Sequence, residues 1–363
     1  MSLIKRTRNW YGRFERPISS LSLILGFIFD AITLKRVDTL WENFWILGHL
    51  IIVGIFIALI HIKENEIGDE KNPSKAHFWF VNILQFFFGG LLSTYLVFYF
   101  RSTDFFATWP FILILAFAFI ANESLKRHYI RLSFQVSLFF LSIYSFMIFL
   151  VPVIMHKIGA IIFLFSGLIS LIFIVFFILI LFYFIKDKFT ESKKMIASLI
   201  LGIFILVNLL YFTNLIPPIP LSLKDVGVYH SIQKNQNGNY DVTYENYGWK
   251  EYFNLYKTYQ EVPGSPVYVY SAIFSPKDLN LIITHEWQHY DEIQNKWTID
   301  RTINLPVAGG RDGGFRTYSM RSSLAPGKWK VFIKTEQGQT IGSLRFNILP
   351  VSVEPILIKG VKQ

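Results

Sequence analysis

Two histidines and a glutamate lie at a spacing that metalloproteases use. Residues 285–289 are His-Glu-Trp-Gln-His, which fits the H-E-x-x-H pattern. On a helix, residues four apart lie about 6 Å apart along the axis, so the two histidines could bind one zinc ion. On a strand they lie about 13 Å apart, which is too far to share it. The chemistry of this stretch therefore depends on the element that carries it.

The residues around this motif alternate as they would on a strand. Ile283, His285, Trp287 and His289 fall on one side, and polar residues alternate with them. No histidine follows His289, so a third zinc ligand would have to be a carboxylate. The carboxylates within reach are Asp291, Glu292, Asp300 and Asp312. We expect a strand with a coincidental match and no cofactor. A zinc site at His285 and His289 is the alternative.

A glycine-rich stretch, GGRDGGFRTYS at residues 309–319, provides the second group of candidate residues. Its four glycines allow positive φ angles and a tight connection, and no Gly-Lys-Ser/Thr follows that would indicate a phosphate-binding loop. The interpretation that we favour is a turn whose Arg-Asp pair ties two strands together. The alternative is a surface that binds a carboxylate, phosphate or sugar. That surface would comprise Arg311, Asp312, Arg316, Tyr318 and Trp287.

The apolar residues that must position these groups are unevenly distributed. Of the 363 residues 52% are hydrophobic, and up to about residue 215 they form long blocks. A span across the ~30 Å hydrocarbon core needs about 20 mainly apolar residues. Seven segments are candidates: Ile18–Leu34, Trp41–Ile62, Phe78–Phe100, Phe105–Ala121, Leu132–Ile154, Ile158–Ile185 and Met195–Leu215.

The distribution of basic residues predicts an orientation in the membrane. With the N-terminus inside, the inner segments hold 15 Lys and Arg residues and the outer loops four. We therefore expect a multi-pass protein of the bacterial cytoplasmic (inner) membrane. Its N-terminus would be cytoplasmic and its C-terminal domain periplasmic or extracellular. The lipid bilayer is then its first partner, and because most of the +10 charge lies in these loops, we expect no nucleic acid.

Charged residues near the outer face form a third group of candidates, because charges at membrane depth are costly and often functional. They would form either a polar mouth for a substrate or ordinary loop charges and ion pairs, and we favour the second interpretation. The predicted outer-face cluster comprises Asp30, Arg36, Asp38, Arg101 and Asp104.

Beyond the apolar blocks the sequence alternates like a β-protein. A proline-rich linker at residues 216–224 precedes a domain at 225–363, which follows the transmembrane domain at 1–215. Strands are predicted near Val226–Ile232, Val267–Phe274, Leu281–Tyr290, Trp297–Leu305, Arg316–Arg321, Trp329–Thr335 and Thr340–Ile348. Tyr247–Gln260 is ambiguous and could be a short helix. The fold class expected is an α-helical membrane bundle followed by an all-β, immunoglobulin-like, antiparallel sandwich.

The segment from Val267 to Ile348 resembles the bacterial family called domain of unknown function 2914. The resemblance rests on ITHEWQHYD, LPVAGGRDGGFRTYSM and APGKWKVFIKTEQGQTIGSLRF, and residues 16–45 resemble the start of its multi-spanning members. The family implies a membrane anchor with a small β-domain and no established catalytic residues.

Two functions follow from these expectations. The first, which we favour, is a non-enzymatic protein whose β-domain binds a cell-wall saccharide, a lipid head group or an envelope protein. The second is a membrane-embedded enzyme or transporter with a polar site at the outer face, capped by the β-domain.

Overall fold

The computed structural model describes residues 25, 27–34, 39–67, 75–101, 105–124, 131–246, 254–277, 279–309 and 313–362. The chain divides into two compact units. The first comprises Met1–Phe100 and Trp109–Thr213, and the second comprises Arg101–Thr108 and Asn214–Gln363.

The first unit is helical. Residues 27–33 form a helical segment, and the helices that follow are α1 (Leu40–Ile67), α2 (Lys75–Arg101), α3 (Phe105–Ser124), α4 (Leu132–Met155), α5 (Ala160–Phe184) and α6 (Lys186–Phe212). Among the described residues, five helices are long and apolar enough to cross a membrane, namely α1, α2, α4, α5 and α6. The apolar part of α3 is shorter, Trp109–Ala121. Residues 18–24 and 26 of the first predicted span, Ile18–Leu34, lie outside the described residues.

Helix α4 forms the centre of this unit. Nearly all of its side chains are buried, and two of its serines, Ser137 and Ser142, donate their hydroxyl hydrogens to carbonyl groups of the same helix. Ser142 Oγ, for example, donates to the Leu138 carbonyl at 2.9 Å, as a buried hydroxyl in an apolar environment must. Helices α5 and α6 expose large apolar side chains, such as Ile161 at 82%. This distribution is typical of helices that face lipid.

The second unit is β-rich. Its strands are β1 (Ser222–Tyr229), β2 (Ser231–Lys234), β3 (Tyr240–Glu245), β4 (Lys257–Glu261), β5 (Pro266–Phe274), β6 (Leu281–Asp291), β7 (Lys296–Val307), β8 (Phe315–Ser322), β9 (Gly327–Thr335), β10 (Thr340–Pro350) and β11 (Leu357–Lys362). They form three sheets, with strand orders β1-β5-β8, β4-β10-β9-β6-β7 and β11-β3-β2.

The first two sheets share one core. Val267 and Val269 of β5 pack with Trp287, Trp329 and Phe346 of the five-stranded sheet. Alternate residues along β5 and β6 point into this core, which is why the period-2 pattern of the sequence predicted these strands. The pair β4–β10 is parallel, so the expectation of a purely antiparallel sandwich was wrong.

The third sheet packs on the outer face of β1-β5-β8. The core between these two sheets is rich in tyrosine. It includes Tyr229 and Tyr270 from the β1-β5-β8 sheet and Val242 from β3, and Tyr240 and Tyr244 pack against it. Strands β3, β4 and β11 were not predicted. The ambiguous segment ends in β4 rather than in a helix, and its residues 247–253 lie outside the described residues.

The predicted linker also differs from expectation. Residues 216–221 are buried, and β1 begins at Ser222. Apolar residues next to the prolines contribute to this burial, because Ile216, Ile219 and Leu221 each expose 5% or less. Residues 222–224 of the predicted linker thus belong to β1.

Candidate functional site

The H-E-x-x-H stretch lies on β6, which pairs with β7 on one side and β9 on the other. The predicted strand is confirmed, and its alternation places Ile283, His285 and Trp287 in the core. A strand in the middle of a sheet holds its i and i+4 side chains about 13 Å apart. The two histidines of the motif therefore do not converge on one point.

His285 joins the two facing sheets. Its Nε2 lies 2.9 Å from Ser271 Oγ on β5, and its Nδ1 lies 2.8 Å from Ser319 Oγ on β8. Trp287 Nε1 donates to the same Ser319 oxygen at 3.0 Å. A neutral imidazole donates from one nitrogen and accepts at the other, so both serines are satisfied. Burial lowers the pKa of His285 to about 3, because a charged ring would be poorly solvated in this core.

His289 has a different environment. Its ring lies 4.7 Å from that of Trp329, and Nε2 donates to the Pro326 carbonyl at 3.1 Å. Both nitrogens of His285 already face serines. Within the part of the chain that the structure describes, no three His, Asp or Glu side chains are grouped to hold a metal ion.

Three of the residues predicted to form a ligand surface, Trp287, Arg316 and Tyr318, are described by the structure. Trp287 is fully buried, so its predicted place on a surface was wrong, because β6 turns this side chain into the core. Tyr318 is exposed at 37%, and its ring lies 5.9 Å from Tyr268 and 6.0 Å from Tyr240. Arg311 and Asp312 lie outside the described residues.

Arg316 holds the third sheet in place. Its Nη1 donates to Asn239 Oδ1 at 3.0 Å and to the Lys362 carbonyl at 3.2 Å. The guanidinium carbon lies 5.9 Å from the centre of the Tyr240 ring. The donors of this nitrogen are thus engaged inside the protein, which makes Arg316 a positioning residue for the third sheet.

A cleft of about 410 Å³ lies where the three sheets meet. Strand β1 supplies Asp225 and Tyr229, β3 supplies Tyr244, β4 supplies Lys257 and β11 supplies Lys362. A volume of this size is within the range of small-molecule sites in proteins, which combine apolar or aromatic walls with a few polar groups. The sequence analysis missed this cleft because three of its four strands were not predicted.

An ion pair closes one side of the cleft. Lys362 Nζ donates to Asp225 Oδ2 at 2.7 Å and lies 5.7 Å from the centre of the Tyr229 ring. Burial by itself lowers the pKa of Lys362, but the interactions with Asp225 and Tyr229 outweigh it and raise the pKa above its ordinary value. Lys362 is therefore charged at neutral pH, and Lys257 adds a second cation to the cleft lining.

Two glycines bring the tyrosine rings close to the strands of the cleft. A Cβ at Gly227 would lie 2.5 Å from Tyr229 Oη, and a Cβ at Gly360 would lie 2.9 Å from Tyr244 Cε1. Ordinary carbon contacts are longer, at about 3.5 Å or more. Both rings therefore occupy space that any other residue at these positions would fill.

In the first unit, one residue of the predicted outer-face cluster has described surroundings. Asp30 is half-buried in the helical segment 27–33 and interacts electrostatically with His49 of α1 and with the Ser93 hydroxyl of α2. Arg36, Asp38 and Asp104 lie outside the described residues, as does the side chain of Arg101. Polar residues of two further helices thus lie beside Asp30, and the sequence analysis had singled out neither His49 nor Ser93.

Comparison with known families identifies one segment of the second unit. Residues 282–348 match the family model "Protein of unknown function (DUF2914)". The predicted resemblance of the segment Val267–Ile348 to this family is thereby confirmed, whereas the resemblance of residues 16–45 to its multi-spanning members stays a prediction. The DUF2914 segment runs from β6 to β10, and every residue that lines the cleft lies outside it. The cleft is therefore formed by strands that precede or follow the DUF2914 segment in the sequence.

No curated protein matches the chain. Among solved structures, a glucose complex of β-glucosidase from Listeria innocua is similar over 26% of this chain and 15% of its own length, at 12% identity and a TM-score of 0.19. The DNA glycosylase AlkC of Pseudomonas fluorescens, bound to DNA with an abasic-site analogue, is similar over 86% of this chain and 99% of its own length, at 8% identity and a TM-score of 0.22. Similarities this weak carry no argument about fold or function.

Proposed function

We propose that the protein is a membrane-anchored binding module whose second unit binds a saccharide of the cell envelope that carries acidic groups. The single observation that carries this proposal is the cleft at the junction of the three sheets, with its two tyrosines, two lysines and one aspartate. Tyrosine rings offer flat apolar faces to sugar rings and hydroxyls to their oxygens. Lysines bind carboxylate or phosphate groups, and Asp225 accepts hydrogen bonds from sugar hydroxyls.

The charge of the cleft favours an acidic ligand. The two lysines and one aspartate of the lining leave one net positive charge. Lys362 is already paired with Asp225, and Lys257 forms no ion pair with a described residue. A carboxylate or phosphate on the saccharide would interact with Lys257 while the sugar ring lies against Tyr244. This arrangement separates the anionic contact from the apolar contact.

The membrane placement is part of the same proposal. Five long apolar helices support an integral membrane protein. The excess of basic residues in the alternate loops supports a cytoplasmic N-terminus and a second unit in the periplasm or outside the cell. We further propose that the two facing sheets of the second unit form an immunoglobulin-like sandwich, to which the third sheet adds the cleft.

The test uses the full chain in lipid nanodiscs and two tetrasaccharides of similar size, tetragalacturonate and maltotetraose. We expect measurable binding of the acidic probe, detected by isothermal titration calorimetry, and at least tenfold weaker binding of the neutral one. Tyr244→Ala and Lys257→Gln should each weaken binding of the acidic probe by about tenfold or more, which is about 1.4 kcal/mol.

Tyr318→Ala is the matched control, because Tyr318 is an exposed tyrosine of the same unit that does not line the cleft. Loss of binding in this variant, with binding retained in Tyr244→Ala, would move the ligand to the surface predicted from the sequence. Equal binding of both probes, or none, would overturn the proposal.

The alternative function, an enzyme or transporter with a site at the outer membrane face, is supported by a different observation. It rests on Asp30 and the polar groups of α1 and α2 beside it.

A further inference from the structure

The five-stranded sheet has one side in the core and one side that points away from it. Strand β9 lies in the middle of this sheet and buries every second residue. The residues between them, Lys328, Lys330, Phe332 and Lys334, therefore point away from the core. We call this side of the sheet the basic face. Its four β9 residues lie within residues 282–348, the DUF2914 segment, whereas the cleft lies outside that segment.

Aromatic rings of β6 and β7 lie against two of these lysines. Lys330 Nζ lies 4.2 Å from the centre of the Trp297 ring, and Lys328 Nζ lies 5.5 Å from that of Tyr290. The centres of the two rings are 5.1 Å apart. A ring attracts a cation through its π-electrons, and a lysine stem can cover apolar surface while its ammonium group remains in water. The basic face thus presents positive charges above an aromatic layer.

The net charge of the basic face is positive. Lys334 donates to Glu286 Oε1 of β6 at 2.7 Å, so the charges of these two residues cancel. Lys328 and Lys330 add two positive charges, and Arg345 of β10, which pairs with Lys330 in the sheet, adds a third. Among the described residues of the five strands that point to this side, Glu286 is the only acidic one. The face therefore attracts anionic partners.

Exposed aliphatic side chains lie on the same side of the sheet. Ile299 of β7 pairs with Gln288 and is 63% exposed, and Leu349 of β10 pairs with Gln260 and is 44% exposed. Aliphatic and aromatic side chains beside lysines are typical of surfaces that enter the boundary between lipid head groups and acyl chains. Strands lie about 4.8 Å apart, so five of them form a face about 20 Å wide. An area of this kind fits a flat anionic partner.

A bilayer surface lies within reach of the second unit. Helix α6 ends at Phe212 and β1 begins at Ser222, and the residues between them span at most about 30 Å even when fully extended. A module tethered this closely meets the surface of its own membrane at a high effective concentration. Weak individual contacts between lysines and phosphate groups are then sufficient for docking.

We propose that the basic face docks on the anionic phospholipid head groups of the membrane in which the protein is anchored. This proposal rests on the membrane placement proposed above and does not depend on the saccharide cleft. Lys328, Lys330 and Arg345 interact with phosphate oxygens, while Trp297 and Ile299 enter the head-group layer. The role of the face is to hold the second unit at the bilayer surface.

The experiment uses a fluorophore at one position of the full chain. The protein contains no cysteine, so Ile299→Cys is labelled specifically with nitrobenzoxadiazole. The labelled chain is placed in nanodiscs whose lipids include a quencher attached to the head group. We expect strong quenching in nanodiscs that contain phosphatidylglycerol. With phosphatidylcholine alone the ratio of docked to undocked molecules should fall by about a hundredfold, because each of three net charges contributes about fivefold. High salt should have the same direction of effect.

Two controls separate docking by this face from other effects. Met320→Cys places the same label on β8, where Met320 is 49% exposed and its neighbour Ser319 points into the core, and this label should be quenched much less. The variant Lys328→Gln/Lys330→Gln should lower the docked ratio about 25-fold. Lys234→Gln/Lys359→Gln removes the same charge from exposed lysines of the third sheet and should leave the ratio nearly unchanged. Near-ultraviolet circular dichroism checks the fold of each variant.

Equal quenching at position 299 in the two kinds of nanodisc, or equal losses in the two double variants, would overturn the proposal. A rise in label fluorescence on addition of soluble polyglutamate, without quenching by phosphatidylglycerol nanodiscs, would assign the face to an acidic protein segment instead. Co-elution of the chain with the nanodiscs is measured separately. A chain that does not co-elute contradicts the membrane placement itself, whereas a chain that co-elutes without quenching contradicts only the docking.

Discussion

Ser319 Oγ on β8 lies 2.8 Å from His285 Nδ1 on β6 and joins two facing sheets through the core of the second unit. The same oxygen accepts a hydrogen bond from Trp287 Nε1 at 3.0 Å. Buried polar groups that lose a partner cost more than the bond itself contributes. Ser319 therefore provides the hydrogen-bond partner of two other buried side chains, His285 and Trp287.

We predict that Ser319→Ala destabilises the second unit by about 1–3 kcal/mol, because it leaves the Trp287 N–H and one nitrogen of His285 without partners. Ser271→Ala removes a single contact of His285 and should cost less. The measurement is the opening free energy of the β6 and β9 amides, from hydrogen exchange of the full chain in nanodiscs. Equal costs for the two variants would contradict the role of Ser319 as a shared acceptor.

A second prediction concerns acid stability. The folded unit holds His285 neutral down to a pKa of about 3, whereas a histidine in the unfolded chain titrates near 6.5. Between these values the unfolded chain binds one more proton. Stability is therefore fully present above pH 6.5 and falls by about 1.4 kcal/mol per pH unit as the pH decreases towards 3.

Urea unfolding of the full chain, followed by near-ultraviolet circular dichroism at several pH values, measures this slope. His285→Gln should lower stability at pH 8 but remove this part of the pH dependence. His289→Gln is the control on the same strand, because His289 remains in contact with solvent, and it should keep the wild-type slope. A His285→Gln slope equal to that of the wild type would refute the prediction.

A third prediction concerns the attachment of the third sheet. Arg316→Lys keeps the charge but cannot reproduce the donors to Asn239 and the Lys362 carbonyl together. We expect the amides of β11 and β3 to exchange about tenfold faster, which corresponds to about 1.4 kcal/mol. Arg301→Lys changes an exposed arginine of β7 and should leave these rates unchanged. Unaltered exchange in Arg316→Lys would show that other contacts hold the sheet.

A fourth prediction tests the glycine-rich stretch. A Cβ at Gly309 would lie 1.8 Å from the Pro276 carbonyl oxygen, and a backbone atom cannot move aside as a flexible side chain can. Gly309→Ala should therefore destabilise the second unit by about 2 kcal/mol or more. Gly202→Ala, where no atom lies within 4 Å of the added Cβ, is the control. A neutral Gly309→Ala would mean that this glycine is not needed for close approach.

The strands that could be predicted are those with a regular period of two. Strand β6 alternates between buried and half-buried residues from Ile283 to Trp287, because it is central and its two faces meet different environments. Strand β3 carries Tyr240, Val242 and Tyr244 on one side, but polar residues and an Asn-Gly turn precede it, and the sequence analysis predicts no strand there. Short strands of a small added sheet carry too few residues for the pattern to stand out.

The candidate sites were harder to predict than the strands. The cleft depends on residues 225, 244, 257 and 362, which are far apart in sequence and lie on four strands of three different sheets. Tryptophan and arginine are residue types typical of binding surfaces. Trp287, however, is buried in the core, and Arg316 forms hydrogen bonds to the third sheet. His49 gave no signal because a single histidine in an apolar helix has no motif. Asp30 was found, since a charge within an apolar segment is costly wherever it lies.

The pairing of β11 with β3 also orders events during biosynthesis. Residues 240–245 leave the ribosome more than a hundred positions before residues 357–362, and at about 5–20 residues per second this is an interval of several seconds or more. Until β11 has been made, the tyrosines of the third sheet lack their last neighbouring strand. The cleft is thus incomplete until residues 357–362 have left the ribosome.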